Sequence, residues 1–169
     1  MDDAKDDKLT SADVDQTSFP EVLRTLLYEP QIWCADRMGD SLADLSPEDI
    51  DIVAAMGDAL TAGRGLWEGT DVEFRGAAFP IGGDATIDGL VTIPNILLEF
   101  NEELAGVSHG MGRRLHLPDY QLNVAQSNTE TEDLPEQATE LVRRLHSFTS
   151  KRELEQKWAL VTIATGTEE

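Results

Sequence analysis

The sequence predicts an α+β fold, in which four or five helices pack against a small, mostly antiparallel sheet of three to five strands. Apolar residues form 40% of the 169-residue chain and gather in blocks, which is enough to bury a core. The spacing of these blocks changes from the helical period to the strand period and back, without the regular alternation of a doubly wound sheet. We therefore predict a single domain over residues 18–169, preceded by a flexible acidic N-terminal arm over residues 1–17.

The first helices are predicted from capping residues and from prolines near their ends. A helix should begin near Phe19, since Ser18 can cap it. The clearest helix is predicted over residues 47–62, where Ser46 and Asp49 can form a capping box. Its apolar side chains recur at helical spacing and would face the core: Ile50, Val53, Met56 and Leu60.

The middle of the chain changes to the strand period. Val72 and Phe74 alternate with charged residues, and residues 86–93 alternate again after a glycine-rich turn. Together these runs predict a β-hairpin or a two-stranded meander. A helix is predicted next, over residues 94–105, with a proline in its first turn and a glycine after its end.

The last third of the chain predicts a strand, a helix and a mixed segment. Residues 120–125 alternate in polarity, as a strand does, and Pro135 marks the start of a helix. Ser150 and Glu153 can form a second capping box. Residues 154–165 fit both a helix and a buried strand, and we favour a helical turn that passes into a terminal strand. The helix that starts at Pro135 should have an apolar face made of Leu134, Ala138, Leu141, Val142 and Leu145.

The charge balance is strongly acidic, with 33 Asp and Glu against 13 Lys and Arg and a net charge of −20. Nucleic acids and anionic membrane surfaces attract clustered Lys and Arg, so direct binding to either partner is not expected. Such a chain repels itself in dilute buffer, and molar salt screens the repulsion. The composition is therefore typical of halophilic archaea and their viruses, although a nucleic-acid mimic or an ordinary acidic protein would share it.

Cysteine content and apolar runs give further expectations. Cys34 is the only cysteine, so neither an intrachain disulfide nor a thiolate metal cluster is expected. No apolar run approaches the roughly 18 residues of a transmembrane helix, and Asp2 and Asp3 make the N-terminus acidic where a signal peptide is basic. We expect a cytoplasmic protein, or one incorporated in a virus particle, without a metal ion or cofactor.

One loop has residues suited to anion binding. His109 and His116 flank a glycine-rich stretch that contains Arg113 and Arg114. Glycines let backbone N–H groups approach a phosphate and arginines can clamp it, so residues 108–116 are a candidate anion site. The alternative is an exposed connector whose arginines pair with nearby carboxylates. The spacing matches neither a P-loop nor a dinucleotide motif, and two histidines alone make a weak zinc site.

Trp67 lies between two glycines, just after the end of the helix predicted over residues 47–62. A large aromatic side chain in such a loop either covers the core or anchors a partner protein. Trp67 is therefore a candidate partner anchor.

The functional prediction rests mainly on the lack of a recognisable catalytic motif. Ser108 and His109 are adjacent in sequence, which seldom gives a working nucleophile and base. The sequence therefore predicts a non-catalytic structural subunit that forms a homo-oligomer, such as a ring in a virion neck, tail or capsid. Two alternatives are a small-molecule or nucleotide-binding protein that uses residues 108–116, and an acidic nucleic-acid mimic that inhibits a DNA-binding protein.

Overall fold

The computed structural model describes residues 41–167, apart from the side chains of residues 148, 151 and 152. The described residues belong to one compact unit, Ala35–Glu169. The acidic arm, the helix predicted near Phe19, and Cys34 lie outside the described residues. Those predictions therefore remain predictions.

Strand β1, Ile50–Gly57, and strand β2, Trp158–Ala164, form a parallel two-stranded sheet. Successive β1 side chains point to opposite faces of the sheet, into two apolar clusters. One cluster gathers around Val53 and the other around Ile52. A strand buried on both faces has a continuous apolar run, which periodicity alone cannot separate from a helix. The helix predicted over residues 47–62 is therefore wrong.

The other edge of β1 hydrogen-bonds to two extended segments. The N–H of Val53 donates to the carbonyl of Ala105 (2.9 Å), and the N–H of Ala55 donates to that of Leu122 (3.1 Å). Strand β1 thus has backbone partners on both edges, as a central strand does. The predicted antiparallel sheet is wrong, because β1 pairs with β2 in parallel, which is typical of an α/β fold.

The helices are mostly shorter than predicted. The helix expected over residues 94–105 ends at Leu97, and the chain continues in turns. The α+β prediction is therefore also wrong about helix packing, since only one described helix exceeds five residues. The described helices are α1 (Ala59–Ala62), α2 (Ile93–Leu97), α3 (Leu134–Phe148) and α4 (Lys151–Leu154), with 3-10 helices at Pro47–Asp49, Arg75–Ala77, Arg114–His116 and Thr131–Asp133.

The predicted hairpin is absent from the described chain. Residues 87–89 form a turn, Ile93 begins α2, and the hydroxyl of Thr92 donates to the carbonyl of Gly82 (2.6 Å) and caps α2. Thr92 thus serves as a helix cap, because an alternating pattern does not by itself provide a second strand to pair with. In the first predicted strand, the backbone of Glu73 forms an isolated antiparallel β-bridge with Arg64 and no longer ladder.

The elements with strong local signals are confirmed. A capping box joins Ser46 and Asp49, although it starts a 3-10 helix that leads into β1. A second box joins Ser150 and Glu153 at α4, and β2 follows as the terminal strand. Residues 120–125 are extended but form a single isolated bridge to β1.

Helix α3 packs its apolar side against the cluster around Ile52. Leu141 is buried in that cluster, and Leu134, Ala138 and Leu145 pack against it. The predicted apolar face is confirmed except at Val142, which is exposed.

Arg144 connects α3 to the segment that carries the candidate anion loop. Its buried guanidinium donates to Glu140 Oε1, to the carbonyl of Gln121 and to the carbonyl of Arg114, each at 2.8 Å. A buried charge needs such partners, because an unpaired one carries a large desolvation penalty. Helix α3 therefore fixes the backbone at residues 114 and 121.

The carboxylate of Glu140 should make folding sensitive to acid. Hydrogen bonds from Arg143 outweigh the effect of burial and, with Arg144, lower the pKa of Glu140 from 4.5 to about 2. A depressed pKa contributes stability that is present above the unfolded value and is lost as pH falls from about 4.5 to 2. We expect Glu140→Gln to lower the free energy of unfolding at pH 7 by about 1–2 kcal/mol, since Arg143 is half exposed and screened.

Urea denaturation of the wild-type chain and the Glu140→Gln variant at several pH values measures this effect. The difference between the two should shrink steadily between pH 4.5 and pH 2. A difference that stays constant over that range would show that Glu140 is not held ionised by its arginine partners.

Candidate functional site

The residues that follow β1 form a tight turn, residues 57–60, which we call the β1–α1 turn. Gly57 adopts φ of 144°, and a Cβ there would collide with the carbonyl of Ala164 in β2. The side-chain amide of Gln137 from α3 holds Gly57 at both ends, accepting from its N–H (2.8 Å) and donating to its carbonyl (2.9 Å). The turn therefore requires glycine and is fixed by three elements.

Asp58 ties the β1–α1 turn to the segment after β2. Its buried carboxylate accepts from the N–H of Leu60 (3.1 Å) and from the N–H of Thr167 (2.8 Å). Burial alone would raise the pKa of Asp58, but the backbone hydrogen bonds outweigh burial and hold it below its ordinary value. Asp58 is thus ionised at neutral pH and serves to position the turn.

A pocket of about 440 Å³ lies beside the β1–α1 turn. Gln126, in its lining, donates its N–H to the carbonyl of Gly57 (3.1 Å). Arg64, also in the lining, donates its N–H to the carbonyl of Ala59 (2.9 Å). Ligands of parallel α/β sheets bind outside the carboxyl ends of the strands, which is where this pocket lies. We call it the arginine pocket, after its lining of Arg64, Arg75, Arg113 and Arg114 with Asp71, Glu73, Leu115 and residues 126–128.

Arg75 forms the buried wall of the arginine pocket. Its guanidinium donates to Glu73 Oε2 (2.7 Å), to the carbonyl of Gly112 (2.8 Å) and to Asn123 Oδ1 (3.0 Å). Glu73 also accepts from the hydroxyl of Ser127 through its other oxygen (2.7 Å). The pocket wall is therefore a connected, pre-positioned polar network.

Ser127 is a hydroxyl within the pocket, so its capacity as a nucleophile matters. Burial would raise the pKa of Glu73, but the hydrogen bond from Ser127 and the charge of Arg75 lower it overall. A carboxylate with a lowered pKa is a weak base for a serine hydroxyl. The Ser127–Glu73 pair therefore suits binding and orientation better than nucleophilic attack.

The structure places two of the four residues of the predicted anion loop in the pocket. Arg113 is exposed and Arg114 is buried, and both belong to the lining. His109 and His116 do not belong to it. His109 is half exposed, with its Nδ1 3.2 Å from Asp84 Oδ1, so that pair stands apart from the pocket.

Trp67 lies in the turns after α1 and is 55% exposed. Its role as a partner anchor remains a prediction. Across residues 41–167, no three His, Cys, Asp or Glu side chains come together as metal ligands. The same stretch holds no helix long and apolar enough to cross a membrane.

Sequence reasoning missed Glu73, Arg75 and Ser127, which form the wall of the pocket. Glu73 and Arg75 were expected on the polar face of a strand, because charged side chains on such a face normally point into solvent. The signal that could have found the site is Gly57-Asp58 directly after a buried apolar run, because tight strand-to-helix turns carry reactive groups in many hydrolases.

The comparisons with known proteins agree on one family. The profile described as GDSL-like Lipase/Acylhydrolase matches residues 53–169, more than two thirds of the chain. Proteins named phospholipase B1, membrane-associated, are 35% identical over 136 residues in Rattus norvegicus, 38% over 132 in Mus musculus and 36% over 138 in Homo sapiens. These matches cover 75–78% of this chain but only 9% of each relative's length. No solved structure matches the chain.

The family name can be compared with the β1–α1 turn. Read as one-letter codes, it spells Gly-Asp-Ser-Leu, and residues 57–60 differ from it only by Ala59 in place of serine. Ala59 is the first residue of α1 and is partly exposed. The intact letters occur over residues 39–42, ahead of the matched region, where the hydroxyl of Ser41 donates to Asp44 (3.1 Å).

Several functional predictions are overturned by these matches. The non-catalytic structural subunit and virion component are wrong, as are the nucleotide-binding protein and the nucleic-acid mimic, because the matched profile covers lipases and acylhydrolases. The prediction that the chain is not an enzyme is wrong for the same reason. The relatives are mammalian, and nothing in them supports a halophilic source. The chain belongs to the GDSL-like lipase/acylhydrolase family.

Proposed function

We propose that this protein hydrolyses carboxylic esters, and that the ester binds in the arginine pocket beside the β1–α1 turn. The observation that carries the proposal is the position of residues 57–60, which follow the family's name at three of four residues and hydrogen-bond to Arg64 and Gln126, two residues of the pocket lining. The chain spans 9% of the relatives' length, so the activity is inferred from this site and its family.

The chemistry depends on residue 59. A methyl group cannot attack a carbonyl, so in the wild-type chain water is the attacking group at this turn. Water adds to the ester carbonyl carbon, the bond to the alcohol oxygen breaks, and the products are an acid and an alcohol. Cationic groups of the pocket stabilise the negative charge that develops on the carbonyl oxygen. Without a serine at this turn, hydrolysis slower than that of an enzyme with a complete triad is expected.

A blocked pocket tests the proposal. Gln126 is exposed on the pocket lining, and only its backbone N–H holds Gly57, so Gln126→Trp should fill the pocket without releasing the turn. We expect wild-type protein to hydrolyse p-nitrophenyl butyrate with saturation and Gln126→Trp to lose at least about tenfold in kcat/KM. Glu155→Trp, an exposed substitution away from the pocket, is the matched control.

The result has a clear opposite. Equal kcat/KM for Gln126→Trp, Glu155→Trp and wild type, with all three folded, would place any ester hydrolysis outside the arginine pocket. A wild-type rate no higher than that of buffer would contradict the activity itself.

A further inference from the structure

The arginine pocket carries excess positive charge in a strongly acidic chain. Four arginines lie in its lining, against only two carboxylates, those of Asp71 and Glu73. The chain as a whole has a net charge of −20. The pocket lining thus differs in sign of charge from the chain as a whole, which suggests that the arginines have a role in the pocket.

Arg114, a lining residue of the pocket, has one buried donor that no described residue accepts from. Its side chain is 10% exposed, and its Nη2 donates to Glu136 Oε1 (3.0 Å). Its Nε is buried and has no hydrogen-bond partner among the described residues. Buried donors are normally paired, so the contact with Glu136 alone leaves this guanidinium incompletely satisfied.

Arg113 adds a second available guanidinium. Arg113 is exposed, and within residues 41–167 its side chain makes no hydrogen bond or ion pair. Burial lowers the pKa of Arg75, Glu73 partly offsets this, and Arg144 and Arg114 lower it further. Asp71, Glu73 and Glu136 each pair with one lining arginine, which leaves Arg113 without an ion pair among the described residues.

We propose that the arginine pocket binds a phosphate group through Arg113 and Arg114. The inference deepens the proposed function and rests on it, since it describes the substrate of the same pocket. Two guanidinium forks can engage the several oxygens of a phosphate at once, whereas a carboxylate offers two oxygens and suits one fork. Leu115, in the lining and 80% exposed, provides an apolar surface beside the anion for the carbon part of a phosphate ester.

Isothermal titration calorimetry with two probes tests this site. Inorganic phosphate and monomeric dihexanoylphosphatidic acid should both bind the wild-type chain and compete with each other. Arg113→Ala should weaken both affinities about tenfold, as expected for the loss of one charge-assisted contact. Arg143→Ala removes the same charge from an arginine outside the pocket and should leave both affinities unchanged.

A substitution of opposite sign guards against misfolding. Glu136 is 74% exposed and takes one donor of Arg114, so Glu136→Gln should weaken that contact and remove a charge that repels phosphate. We expect phosphate affinity to rise severalfold in Glu136→Gln, an effect that a destabilised fold would not produce.

The possible outcomes separate the two proposals. No binding of either probe, or equal loss in Arg113→Ala and Arg143→Ala, would overturn the phosphate site. Tighter binding of the lipid probe identifies a lipid headgroup as the source, and equal affinities identify free phosphate. Hydrolysis of the uncharged p-nitrophenyl butyrate, measured on the same samples, reports the ester activity separately.

Discussion

Replacing Ala59 with serine is expected to raise the rate of ester hydrolysis by on the order of 10²-fold. Position 59 is the first residue of α1, directly after β1, and it is partly exposed. A serine at a tight strand-to-helix turn presents its hydroxyl to a bound ester and adds a covalent acyl step. The expected gain stays below the ~10⁶ of a complete triad, because within residues 41–167 no hydroxyl is hydrogen-bonded to a histidine.

Steady-state kinetics with p-nitrophenyl butyrate measure this gain. Ser41→Ala is the control, because Ser41 lies in the intact Gly-Asp-Ser-Leu tetrapeptide yet precedes the matched region and hydrogen-bonds only to Asp44. Its rate should equal that of the wild type. A folded Ala59→Ser variant no faster than wild type would contradict the placement of the reacting position at the β1–α1 turn.

Gly57→Ala is expected to lower the free energy of unfolding by about 3 kcal/mol or more. The residue has φ of 144°, which non-glycine residues rarely adopt, and its Cβ would overlap the carbonyl of Ala164. The strands would have to separate where Gln137 and Asp58 hold the turn. Stability and ester hydrolysis should therefore fall together.

Guanidinium denaturation followed by circular dichroism measures the loss of stability. Gly89→Ala is the matched control, since its Cβ would meet the nearest atom outside adjacent residues at 3.6 Å and its backbone needs no positive φ. We expect that control to stay within about 0.5 kcal/mol of wild type. A Gly57→Ala variant equally close to wild type would show that β1 and β2 do not approach as described.

The sequence predicted the local elements better than their pairing. Capping at Ser46 and Ser150 and the apolar face of α3 depend on neighbouring residues, so they could be recognised directly. The identity of β1 depends on both of its faces being buried by distant parts of the chain, from Ala78 to Trp158. Nothing local distinguishes its apolar run from a helical stripe, and that error led to the wrong sheet and the wrong fold class.

The candidate site was visible in part. Arg113 and Arg114 were identified from a glycine-rich loop, whereas the two histidines beside them lie outside the pocket. Arg75 is buried beside Glu73, its near neighbour in sequence, and only tertiary structure brings Ser127 to the other oxygen of Glu73. The β1–α1 turn has Ala59 where a nucleophilic serine would stand, so no serine-based motif identifies it.

Esters are expected to react at the β1–α1 turn. Treatment of the Ala59→Ser variant with a fluorophosphonate, followed by peptide mass spectrometry, tests this expectation most directly. We expect a single adduct on the serine introduced at position 59, prevented by excess ester and absent from the wild-type chain. An adduct at Ser127 or Ser41 instead, or equal labelling of the wild type, would contradict this location of the site.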